Sequence, residues 1–415
     1  MSIDNDDIYD GIDLNLDLQR AIDDKKESII ESENEENDIR KENLNIQKAT
    51  SFKNTKLLDF ETFIIKKDYF AKVKEFGDSA AIYWKLGTFG NLVQMNIMKW
   101  WHTELIETPS NIVPIEEINN DPKFFLQYKM YGNIKKLKIP FGIGRTMKLP
   151  REHFNSKEFL LNRRDSRHQI IEFFVKPENA DRWTKTWKDI LFTKFIELGL
   201  DKELLDITND RIENSSFNAT DYYSEKFEFY YKFPFGSEKI ASVSNRIDFD
   251  FQNEDDKNKT APLTVLDPNT GSAFFPFIIR IRMDLDKFTL AILWNTFEKV
   301  NYDGVKNSSI VLNPKIAPIK AVVLPEDGSS QIIIDQAKNL YDRLSAKINI
   351  AFEFEKPREE RIRHYRELGV PYFIFLDKKF SSGDKVYLFD AFKNGWLNLE
   401  EAEIWEYINK NSLLY

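Results

Sequence analysis

Six basic residues sit close together in the first half of the chain: Arg145, Lys148, Arg151, Arg163, Arg164 and Arg167. Guanidinium and ammonium groups at this density could clamp a triphosphate or follow an RNA backbone. The solvated face of a hairpin would carry the same residues, so their surroundings must decide. Other chemistry is sparse. The four histidines, His102, His153, His168 and His364, lack ligand spacing, and there is no cysteine. Disulfides, iron–sulfur clusters and thiolate zinc sites are thereby excluded. No phosphate-binding Gly-Lys-Ser/Thr loop, nucleophile elbow, HExxH or EF-hand loop occurs. The reading is no metal and no cofactor.

The elements that must position these residues follow from periodicity. Apolar positions at 93–106 and 179–198 recur at helical spacing, the first after a Gly87-Thr88-Phe89-Gly90 turn. Strands are expected at Phe159–Leu161, Ile170–Val175, Phe227–Tyr231 and Pro276–Arg282, with a helix near Leu290–Phe297. Asn307-Ser308-Ser309 with Pro314 and Pro318 reads as a linker. Beyond it strands and helices alternate: Ala321–Leu324, Asp335–Ala346, Ile350–Phe354, Arg358–Leu368, Tyr372–Leu376 and Val386–Phe389. A terminal helix follows, capped near Asn398, with Ile404 and Ile408 inward. The fold class is α+β, a mixed, mostly antiparallel sheet with helices followed by a compact three-layer α/β unit. The expected domains are 1–55, 56–305 and 306–415.

Charge is unevenly placed. Residues 1–50 hold 15 acidic and 6 basic residues, which is the whole net charge of −9, and the remaining 53 acids and 53 bases cancel. Within this acidic extension Leu14, Leu18, Ala21 and Ile22 fall at helical spacing. The segment is either a solvated tail or an amphipathic arm that orders on a protein partner. Acidity argues against its gripping nucleic acid. No apolar run reaches the ~18 residues of a membrane helix. The acidic start is unlike a secretory signal, so the expected setting is the cytoplasm.

Several blocks, in order, resemble the glycyl-tRNA synthetases, class II aminoacyl-tRNA synthetases. Leu86-Gly87-Thr88-Phe89-Gly90 with Asn96-Ile97 and Trp100-Trp101 is similar to the family's motif 1 region. Pro140-Phe141-Gly142-Ile143 through Glu172-Phe173-Phe174 resembles motif 2, and Pro276 to Leu293 resembles motif 3. Phe233-Pro234-Phe235-Gly236 with Asn245-Arg246-Ile247-Asp248-Phe249-Asp250 looks like the family's Phe-Pro-Phe-Gly…Asn-Arg-Thr-Asp block. Leu312-Asn313-Pro314 and Gly369-Val370-Pro371 resemble the anticodon-binding domain. The resemblance implies a class II core over 56–305, an anticodon-binding-like domain over 306–415, and a homodimer formed through motif 1.

It also implies nucleotide-site positions, and here the chain departs from the pattern. The family's α-phosphate arginine falls on Arg151, but the glutamate two residues on becomes His153. In motif 3 a Glu becomes Arg280, a Ser Arg282, a Gly Asp284 and an Arg Lys287; elsewhere acids become Lys239 and Ala241. Adenylate formation needs Mg²⁺ on carboxylates and fixed guanidiniums around the phosphates. On this reading Arg151, His153, Arg280, Asp284 and Lys287 are remnants and the chain is not an enzyme. It would be an accessory or scaffold subunit of a larger assembly, similar in kind to the accessory subunit of mitochondrial DNA polymerase gamma. Leu14, Leu18 and Ile22 would dock the partner. A nucleic-acid-binding factor using Arg145, Lys148, Arg163, Arg164 and Arg167 is the first alternative, and a divergent working synthetase the second.

Overall fold

The computed structural model describes residues 56–74, 82–115, 124–135, 138–150, 165–211, 223–255, 263–302, 305–326, 330–376 and 385–412. The chain divides into two compact units, Met1–Asp59 and Phe60–Tyr415. The first helix, α1, covers residues 56–66; the second unit continues with the hairpin β1 (Phe70–Lys74) and β2 (Ile82–Leu86), and α2 (Thr88–Trp101). Next come β3 (Ile112–Pro114), α3 (Tyr128–Lys135), β4 (Phe141–Pro150), β5 (Asp165–Val175) and α4 (Ala180–Leu198). Then follow β6 (Leu205–Arg211), β7 (Glu225–Phe233), β8 (Gly236–Asn245), α5 (Phe249–Asp255), β9 (Val265–Leu266) and β10 (Ala273–Phe274). β11 (Phe277–Asp284) runs directly into α6 (Leu285–Thr296), and β12 (Phe297–Tyr302) pairs with β13 (Val305–Ile310). The last third holds β14 (Ala321–Pro325), α7 (Gln331–Ser345), β15 (Ile350–Phe352), α8 (Arg358–Glu367), β16 (Tyr372–Leu376), β17 (Lys385–Asp390), β18 (Gly395–Glu400) and α9 (Glu401–Ser412).

The expected α+β architecture is present. One sheet has seven strands in the order β3-β4-β5-β11-β8-β7-β6, all antiparallel except the β3–β4 pair. Alternation along β7 buries Phe227, Phe229, Tyr231 and Phe233 on one side. That side is covered by α2, α4 and α6: Phe195 packs on Phe229 and Phe288, and Trp100 stacks on Phe288. On the opposite face α3 and α5 cover one end, around Tyr128, Phe174 and Phe251.

The second sheet, β15-β14-β16-β17-β18, is parallel over its first three strands and antiparallel over the rest. One face packs Ile333, Ala337 and Leu340 of α7 with Ile404 and Ile408 of α9, and the other packs Ile362 and Tyr365 of α8. These are the three layers expected of this region. The buried guanidinium of Arg361 ties the layers together, donating from one nitrogen to the carbonyls of Pro325 (2.9 Å) and Glu353 (3.0 Å).

Several boundaries differ from expectation. The first long helix begins at Thr88, not after Gly90, and ends at Trp101 in a π-helical turn, His102–Glu107. Asp68 sets this start from a distance: its carboxylate accepts from Thr88 N at 2.9 Å and its carbonyl from Phe89 N at 3.0 Å. A Cβ on Gly90 would lie 2.0 Å from the Tyr69 carbonyl oxygen, so only glycine permits this approach. Asn307–Ser309 is not a linker but part of β13, held by the β12 ladder. Asn398 lies inside β18, paired with Tyr387, rather than capping α9. Phe159–Leu161 lies outside the described residues. Among the described residues no helix is long and apolar enough to cross a membrane.

Candidate functional site

The site is built on the open face of the seven-stranded sheet, where β4, β5, β11 and β8 lie side by side. Register puts Arg280 of β11 between Glu172 of β5 and Ser244 of β8, and Arg282 between Ile170 and Ser242. Ile143 and Arg145 of β4 face Glu172 and Ile170. Strand alternation therefore gathers Arg145, His168, Glu172, Arg280 and Arg282 on one face. Arg280 Nε donates to Glu172 Oε1 at 2.6 Å, and its Nη2 lies 3.7 Å from Asp250. Arg246, buried just before α5, grips Asp250 through two bonds of 2.5 and 2.7 Å. This bidentate fork is the strong form of the guanidinium–carboxylate pair.

Glu172 is fully buried, and its Oε2 has no hydrogen-bond partner among the described residues. Burial raises its carboxyl above the usual range, and Asp250 adds to the rise, while Arg280 and Arg246 pull it down. One step along the face, Arg282 Nε donates to His168 Nδ1 at 3.1 Å, and Ser166 Oγ lies 2.7 Å from His168 Nε2. At the far side Lys226 and Lys239 both reach Glu228 at 2.8 Å. Burial would raise the Glu228 carboxyl, but hydrogen bonds from Lys226, Lys239 and Tyr230 bring it down to about 2.

Of the motif 3 residues singled out from sequence, Arg280 sits at the centre of this cluster. Asp284 caps α6, its Oδ1 accepting from Asp286 N and Lys287 N at 3.1 Å each. Lys287 donates to Glu238 at 2.6 Å. The basic cluster divides: Lys148 and Arg167 are register partners, on the face opposite Arg145. Arg167 reaches Gln94 of α2 at 3.4 Å, while Arg145 is buried beside Met147 Sδ. Arg151, His153, Arg163, Arg164, Leu14, Leu18 and Ile22 lie outside the described residues.

From sequence, Glu172, Arg246 and Asp250 stand only inside family-like blocks without a role, and Glu228 carries no signal. The Arg246–Asp250 spacing of four was a visible signal for their pairing. Chemically, the face offers guanidiniums suited to phosphate or carboxylate groups, while the Glu172 carboxylate beneath them is shut off from solvent. The residues do not fit a divalent cation. Glu172 and Asp250 already face guanidiniums, and no group of three or more His, Asp or Glu side chains among the described residues could hold a metal.

No family model matches the chain. It is similar to the glycine–tRNA ligase of Clostridium acetobutylicum, 29% identical over 289 residues, 69% of this chain and 60% of the relative. It is 28% identical over 256 residues to that of Staphylococcus haemolyticus, covering 61% of this chain and 53% of the relative. For Staphylococcus aureus (strain JH9) the figures are 26% over 323 residues, 76% and 68%. The chain thus spans less than two thirds of the length of the first two. These likenesses make it glycyl-tRNA synthetase-like. They also overturn the expectation that it is not an enzyme, because the proteins it is similar to are named as ligases.

Proposed function

We propose that this chain joins an amino acid, glycine, to tRNA, using the open face of the seven-stranded sheet. The observation that carries this reading is the pair Arg280 and Arg282, set on one face of the sheet by strand register, with Arg280 held by the buried Glu172 carboxylate. On this reading Arg280 and Arg282, both partly exposed, face the phosphates of an activated intermediate, and buried Glu172 fixes the position of the Arg280 guanidinium. The second sheet would approach the tRNA, and the protein would work in the cytoplasm. The test is glycine-dependent exchange of labelled pyrophosphate into ATP, together with charging of bulk tRNA. Both should exceed a heat-inactivated control and fall at least tenfold in Arg280→Gln. Wild-type protein at the level of the control in both assays would end this reading.

A second role, as an accessory or scaffold subunit of a larger assembly, is favoured by one observation: residues 1–50 carry the chain's entire net charge. Such an arm suits a basic protein surface. A partner protein retained at moderate salt by the wild-type chain should be lost when Leu14, Leu18 and Ile22 are all changed to Ser. Retention by that variant would remove the arm from the account.

A further inference from the structure

Away from the sheet face, the end of α1 and one side of α8 enclose a groove of about 410 Å³. Its lining is Lys66, Lys67, Lys356, Glu360, Arg363, His364 and Glu367. Glu360, Arg363, His364 and Glu367 form an i, i+3, i+4, i+7 stripe on α8, so a single helix face supplies most of one wall. Lys356 stands just before that helix, and Lys66 and Lys67 face it from the end of α1.

Four cations line the groove against two carboxylates, and both carboxylates are already engaged. Lys67 pairs with Glu367, and Arg363 lies 3.4 Å from Glu360. Among the described residues, Lys66 and Lys356 take no such partner. The imidazole of His364 reports the local field. Burial pushes it below its ordinary value, and the neighbouring Lys67 and Lys356 push it the same way, against Glu367 and Glu353. Glu353 is itself turned onto the amides of Phe354 and Glu355, at 3.0 and 3.1 Å.

We infer that this groove binds a phosphate chain, with Lys66 and Lys356 as its primary contacts and Arg363 and His364 beside them. Apart from the His364 ring, which already stands edge-on to Tyr365, every lining side chain is charged, so the phosphates rather than a base or sugar are what the groove reads. Four cations gathered around one groove attract adjacent phosphates more strongly than a single isolated lysine does. This site stands apart from the sheet face and does not depend on the ligase reading.

The experiment is calorimetric titration of the full chain with inorganic tripolyphosphate at fixed ionic strength, comparing wild type with Lys66→Gln/Lys356→Gln. Both side chains are exposed, so an unchanged melting curve is expected and confirms folding. Binding by the wild type should weaken by about tenfold or more in the double variant. Equal binding by both proteins would place the anion elsewhere and overturn the proposal, as would no binding by wild type. If an RNA oligomer binds and loses affinity in the double variant while tripolyphosphate does not bind, the groove follows a nucleic-acid backbone instead, and the proposal falls.

Discussion

Arg280 and Glu172 face each other across β11 and β5, Nε donating to Oε1 at 2.6 Å with the carboxylate wholly buried. Removing the cation alone strands a desolvated charge, which costs more than the pair contributes. Arg280→Met should therefore destabilise the protein by about 3 kcal/mol or more in urea unfolding. Adding Glu172→Leu to the same chain should recover most of that loss. The sign with pH follows from the raised Glu172 carboxyl. Without Arg280 it rises further, so the deficit of the single variant should shrink as pH falls toward 4.5. A deficit constant across that range would contradict the assignment.

Glu228 behaves in the opposite sense. Its carboxyl is held down near 2 by Lys226, Lys239 and Tyr230, so it stabilises the fold above its ordinary 4.5, and this contribution fades as pH falls toward about 2. Glu228→Gln should lower the melting temperature at neutral pH and match wild type at the acid end. The measurement is a melting series across that window.

Lys320 is buried, with Nζ donating to the carbonyls of Pro314 at 2.7 Å and Lys315 at 3.0 Å. Burial, then Lys99, pushes its amine down to about 7. Between that value and 10.5 the unfolded chain holds more protons than the folded one, so stability rises with pH. Relative to Lys320→Met, wild type should gain stability as pH climbs from about 7 toward 10.5, with the difference level below 7. A flat difference across the whole range would show the amine to be ordinary.

Gly90→Ala should be among the most disruptive single-methyl additions in the chain. The new carbon would meet a carbonyl 2.0 Å away, and backbone cannot swing aside as a side chain can. A loss at or above the upper end of the usual ~1–3 kcal/mol for overpacking is expected in chemical denaturation. A melting curve matching wild type would show that α2 can shift off Tyr69 at little cost.

Where apolar side chains decide an element, the sequence is enough to find it. Tyr372–Leu376, apolar at every position, is β16 with every residue buried, and Ile404 and Ile408 point inward on α9 as spaced. β13 escapes notice because Asn307-Ser308-Ser309 carries no apolar signal and is held by backbone pairing with β12. β18 hides behind Asn398, which reads as a cap but lies in a ladder with β17.

At the site, Arg280 was legible through its motif but its partner was not, because nothing in local spacing joins residue 172 to residue 280. The division of the basic cluster, in contrast, could have been read. Arg145 and Lys148 are three apart, and an odd separation on a strand puts side chains on opposite faces. Judged by motif, Asp284 is a remnant position where the family has Gly. In place it is the first cap of α6, and its carboxylate faces the helix amides.

The pairing of Lys67 with Glu367 joins residues 300 positions apart, and Gly369 packs within reach of Tyr69 at the same seam. A ribosome adding ~5–20 residues per second needs roughly 15–60 s to span that interval. Through that time α1 and β1 are outside the exit tunnel without the α8 surface that completes their packing. The seam therefore closes only once α8 has been made, and a pause or truncation upstream of Glu367 would leave Lys67 and the hydroxyl end of Tyr69 uncovered while Phe63 keeps its contacts with Tyr69 and Phe297.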